Sequence, residues 1–155
     1  MKKLALLLLL PAVLAGCSSN SKSTSSTMTS ALNAAAPVLD GVMKGVPGLS
    51  QAQAALGAGS MLGYAKSTMP ADQFNQISQA VPGTDALISE AIAKGLPSPL
   101  SSMTQVSSFL TKNGFSQDQV NLLGSSLNGM IKSKVPTEVA NGFTNALGFK
   151  TAGAE

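Results

Sequence analysis

The chain of 155 residues has no histidine, no tryptophan and no arginine, and its single cysteine is Cys17. Each absence excludes a chemistry. Without histidine, neither a Ser-His-Asp nor a Cys-His arrangement can form. One cysteine and no histidine also exclude the usual nitrogen and sulfur zinc sites. No disulfide can close within the chain, so a helical core must supply its stability. Phosphate-binding motifs are missing too, since neither GxGxxG nor a Walker-type glycine-rich loop with its lysine occurs. One tyrosine, five phenylalanines and singly scattered lysines do not make a nucleic-acid footprint, which needs clustered basic residues interleaved with stacking aromatics. Nucleic acid is therefore not expected as a partner, and no cofactor or metal is expected.

What is present starts at the N-terminus. Lys2 and Lys3 precede an apolar run of 11 residues, Leu4 to Leu14, broken only by Pro11. A membrane-spanning helix needs roughly 20 apolar residues, whereas an export signal has a core of this size. The string Leu14-Ala15-Gly16-Cys17 resembles the lipobox of bacterial lipoproteins. An ordinary secretory signal with an incidental cysteine is the alternative. The lipobox reading takes precedence because the only cysteine stands where that motif requires one. The resemblance implies cleavage of residues 1–16, a diacylglycerol thioether on Cys17 and an acylated amino group. One acyl chain anchors a protein marginally, so several would hold it durably. Ser18 and Ser19 stand where an aspartate would signal inner-membrane retention. The expected location is thus the outer membrane, with the domain facing the periplasm or the cell surface. Cleavage would leave 155 − 16 = 139 residues and a formal balance of 8 − 7 = +1, so the pI near 9.2 owes much to the signal.

Residues 17–30 are the lipidated cysteine and a tether holding ten Ser or Thr among the 13 residues that follow Cys17. Such a run buries nothing and spans roughly 20 Å as a flexible coil. From residue 31 to 155 a single all-α domain of about seven short helices is expected, with no strand-like alternation. Leu32, Ala35, Leu39, Val42, Met43 and Val46 recur at helical spacing around Pro37, which should kink or restart that helix. Ser50 with Gln53, and Ser116 with Gln119, have capping-box spacing. Pro70 and Pro136 suit helix starts. Thr84 is expected to cap a short helix bearing Leu87, Ile88, Ala91 and Ile92, which Gly95 stops. A further helix carries Met103, Val106, Phe109 and Leu110 and ends at Asn113-Gly114. Ala140, Phe143 and Leu147 form the last apolar stripe.

A shift of 66 residues lays Gly48–Ala80 on Gly114–Ala146 without a gap, with twelve of 33 positions identical. Biased composition would give about three by chance, so an internal duplication is expected. Both capping boxes and both prolines coincide. The expected architecture is two pseudo-symmetric three-helix halves, about 38–81 and 102–148, joined by a short helix.

Two stretches resemble the VcgC/VcgE-type domain, a family of exported bacterial proteins and lipoproteins of unknown function. They are GLSQAQAALGAGSMLGYAKSTMPADQFNQISQAVPGTDALI (Gly48 to Ile88) and FLTKNGFSQDQVNLLGSSLNGMIKSK (Phe109 to Lys134). The similarity covers roughly residues 38 to 148. It implies an all-α exported domain and brings no site residues with it.

Among the acids, Asp72, Asp85, Asp118 and Glu138 fall in expected first turns, where negative charge complements the helix dipole. Glu90 has Lys94 at i+4, and Asp40 completes the set from which a two-carboxylate hydrolase could draw. Such an enzyme is the least favoured reading, and no catalytic residue is expected. Gly59 to Gly63 is a GxxxG whose repeat partner runs from Ser125 to Gly129. With Tyr64 and its aligned Met130, Gly59, Gly63 and Gly129 form the candidate packing or interaction face. The favoured function is a non-catalytic interaction or envelope-maintenance module, with an envelope protein or a second copy of the chain as partner. The alternative is binding of a small apolar ligand or lipid in a groove between the halves, where Met61, Met69, Met103 and Met130 would be adaptable lining.

Overall fold

The computed structural model describes residues 33–148. The expected signal, Cys17 and the expected tether lie outside the described residues. Among the described residues seven α-helices follow one another: α1 (Ala36–Gly45), α2 (Gln51–Thr68), α3 (Ala71–Ala80), α4 (Thr84–Ala93), α5 (Met103–Lys112), α6 (Gln117–Lys132) and α7 (Thr137–Ala146). No strand occurs among the described residues. The all-α expectation holds, and so does the number of helices.

Local chemistry explains most boundaries. The chain turns at Ala35 and Pro37 occupies the first turn of α1, where its missing N–H costs nothing. The Ser50 Oγ accepts from the Gln53 amide at 3.2 Å while the Gln53 Oε1 accepts from the Ser50 amide at 3.1 Å. Ser116 and Gln119 repeat that box at 3.2 and 3.0 Å. Ahead of each box a glycine sits at positive φ, +83° at Gly48 and +87° at Gly114, a conformation that side chains disfavour. Pro70 and Pro136 cap α3 and α7 with nearly the same extended backbone. Replacing Ser50 or Ser116 by alanine should each cost about 1 kcal/mol in urea unfolding, through loss of one satisfied amide at a helix start.

Thr84 behaves differently from its expected role. Gly83, in the left-handed region, is the N-cap of α4, and Thr84 is its first helical residue. The Thr84 hydroxyl is buried and donates backward to the Val81 carbonyl at 2.6 Å. It locks the turn between α3 and α4 instead of accepting from a helix amide. Ile92, expected on the buried face of α4, is 49% exposed.

The centre of the fold is α2. Every residue from Ala54 to Ala65 is buried, so this helix has no solvent face over that length. Alanine, glycine and serine keep it thin, and all six other helices reach it. The elements are also interleaved across the middle of the chain. α1 packs on α6, α5 packs on α2, α2 meets α6, and α3 meets α7. A Cβ on Gly48 would lie 4.0 Å from the Gln119 Nε2, and one on Gly114 would lie 3.9 Å from the Gln53 Nε2. Leu39, Met61, Leu62, Ile77, Leu110, Leu127 and Phe143 fill the interior, each fully or almost fully buried.

Candidate functional site

Small residues on α2 determine how closely α4 can approach. A Cβ on Gly59 would overlap the Leu87 carbonyl oxygen and lie 2.6 Å from its carbon, so glycine permits backbone-to-backbone contact there. One turn on, Gly63 faces Ile88 and Leu96, with a Cβ position 3.4 Å from the Leu96 Cδ2. At the end of α2, the Lys66 Nζ lies 3.2 Å from the Asp85 Oδ1 and 5.8 Å from the centroid of the Phe74 ring. Ala91 sits beside Gly59 and Asp85 beside Lys66, so α4 runs against the direction of α2.

The five candidate face residues do not meet in one patch. Gly59 and Gly63 lie under α4, and Tyr64 is buried in the core. Met130 is half-buried and its methyl reaches the position a Cβ on Gly41 of α1 would take, at 2.8 Å. Gly129 faces open space, with nothing within 4 Å of its Cβ position. Around it the outer surface of α6 is exposed at Asp118, Leu122, Ser125 and Lys132, and Leu122 is 44% exposed. The sequence reading missed this open face. Its signal lay in the non-identical positions of the 66-residue shift, where Ala52, Ala55 and Gly59 become Asp118, Asn121 and Ser125.

Three shallow grooves surround α4 and the connection that follows it. One of about 260 Å³ is lined by Gly63, Lys66, Ile88, Ile92, Leu96 and Leu100. A second of about 370 Å³ lies over Lys66, Phe74, Asn75, Ser78, Gln79 and Asp85. The third, about 350 Å³, is bounded by Gly95, Pro97, Gln105, Phe109 and Lys112. These volumes sit near the lower end of ligand sites, and all three grooves are open to solvent. The methionines serve the core: Met61 and Met69 are buried, while Met103 and Met130 pack against it.

Polar groups are committed to structure. Among the described residues the three buried polar side chains, Ser60, Thr84 and Thr144, each have a backbone carbonyl acceptor within one turn, at 2.6–2.8 Å. Thr144 also has the Asn128 Oδ1 at 2.7 Å, and none of these carbonyl or amide oxygens is a base that could activate a hydroxyl. Asp72, Asp85, Asp118 and Glu138 stand in first helical turns, as their spacing implies. Asp40 pairs with Lys44 at 2.6 Å and Glu90 with Lys94 at 3.9 Å, both one turn apart on the same helix. Such surface pairs contribute little. Among the described residues, no three of His, Cys, Asp and Glu gather where they could hold a metal ion. No described helix is long and apolar enough to cross a membrane.

Comparison with known proteins adds a family match. The model of a family described as protein of unknown function VcgC/VcgE matches residues 11–151. No curated protein and no solved structure matches the chain.

Proposed function

The chain belongs to the VcgC/VcgE family of unknown function, and on that premise we propose that it is a lipid-anchored outer-membrane protein whose helical domain acts by contact and not by catalysis. The observation that carries this reading is the Leu14-Ala15-Gly16-Cys17 string, which places the sole cysteine directly behind a short apolar run. Acylation there would hold the domain at the membrane through a Ser/Thr-rich tether. The absence of histidine and arginine and the engagement of the buried Ser60, Thr84 and Thr144 hydroxyls favour an interaction role over an enzyme. The domain itself is read as a duplicated three-helix unit. Support comes from equal helix lengths in α1 and α5 and in α3 and α7, matched capping boxes and matched positive-φ glycines. An apolar ligand held between the halves has less support, because none of the three grooves described is lined by residues of both halves.

A Cys17→Ser variant produced in the native bacterium tests the anchor. Wild-type chain should take up labelled fatty acid and sediment with the outer membrane, and the variant should do neither. Equal labelling of both forms, or an unlabelled wild type, would overturn the proposal.

A further inference from the structure

Equivalent faces of α2 and α6 meet different fates. On α2 the stripe that starts at the buried Leu56 meets α4 along Gly59, Gly63 and Lys66, at backbone contact over Gly59, beside Ile88 at Gly63 and through the Lys66–Asp85 pair. The shift of 66 places Leu122, Ser125, Gly129 and Lys132 on the same positions of α6. Here no described helix covers them: Leu122 is 44% exposed and no described atom lies within 4 Å of the Gly129 Cβ position. Continuing the shift lays Gly153 and Ala154 on Leu87 and Ile88, so the segment after α7 lacks the side chains with which α4 grips α2.

The open stripe is complementary to itself. Asp118, Leu122, Ser125, Gly129 and Lys132 follow one another at intervals of four and three residues, so all five lie on one face of α6. Turned end for end about Ser125, the stripe sets Asp118 against Lys132 and brings Leu122 within one residue of Gly129. An isologous contact requires this property, in which residue i meets j and j meets i. We propose that α6 pairs antiparallel with α6 of a second copy of the chain, with Ser125 on the two-fold axis, the leucines seated beside the glycines and two Asp118–Lys132 pairs closing the ends. One helix face buries less area than a stable soluble dimer requires. Confinement of both partners to a membrane raises their effective concentration and compensates for that. This inference rests on the reading of the domain as a contact module; in solution a high concentration of the chain takes the place of membrane confinement.

Ser125→Cys in the full chain, oxidised mildly in native membranes, tests the pairing. A disulfide-linked dimer should form at least about tenfold faster than from Ser108→Cys on exposed α5, because the axis holds the two thiols together. Adding Lys132→Asp should abolish that advantage by placing acids opposite one another, and Asp118→Lys with Lys132→Asp should restore it. Equal crosslinking from positions 125 and 108, or a double charge exchange that fails to rescue, would overturn the proposal. The same series on purified Cys17→Ser chain at high concentration separates the two claims. Position-specific crosslinking there, combined with an unlabelled wild type, leaves the pairing standing and removes the anchor.

Discussion

Alanine at Gly59 should destabilise the domain by about 3 kcal/mol, whereas alanine at Gly129 should stabilise it by about 1 kcal/mol. Both glycines lie within helices, Gly59 in α2 and Gly129 in α6, so helix propensity alone predicts the same gain at both. Packing separates them. A Cβ on Gly59 overlaps the carbonyl oxygen of Leu87, and backbone cannot move aside as a flexible side chain can. Relief requires α4 to retreat from α2, opening the contact that buries Leu87 and Ala91. At Gly129 the added methyl meets nothing, and the lost freedom of the unfolded chain adds to stability. Urea unfolding followed by circular dichroism, at dilutions that keep the chain monomeric, reads both signs. A stabilising Gly59→Ala would show that α4 does not approach α2 as described.

Phe143→Ala should cost about 4 kcal/mol and leave a single unfolding transition. Among the described residues Phe143 is the largest fully buried side chain, on α7 between elements of both halves of the sequence. α7 contacts α2, α3 and α6, so the cavity would be shared by the whole core. Interleaving makes the outcome global: α1 rests on α6 and α5 rests on α2, and neither half closes its own interior. Hydrogen exchange in α2 should therefore accelerate along with that in α7. Loss of protection confined to α6 and α7 would mean that the halves fold as separate units.

These two sites also show what could be read from the letters. Prolines, capping boxes and glycines after helix ends are local devices, and they placed α1, α2, α3, α6 and α7 within a residue or two because their chemistry acts within one turn. Thr84 was misread because Gly83 ahead of it takes the cap position, which turns the hydroxyl back toward Val81. The candidate face was only partly legible. Gly63 and Gly129 occupy matching positions of the shift, yet one faces Ile88 and Leu96 and the other faces open space; whether a glycine stripe is covered depends on where α4 settles, a tertiary fact. Ile92 and Leu122 illustrate the same limit. Periodicity assigns an apolar residue to a face but does not say whether another element reaches it.

The most direct test of the account is the intact mass of wild-type protein extracted from the membranes of the bacterium that makes it. The expected species begins at Cys17 and carries a diacylglyceryl group and an N-linked acyl chain. A chain that retains Met1, or one beginning near residue 17 with a free thiol and no lipid, would contradict the anchored module at its foundation.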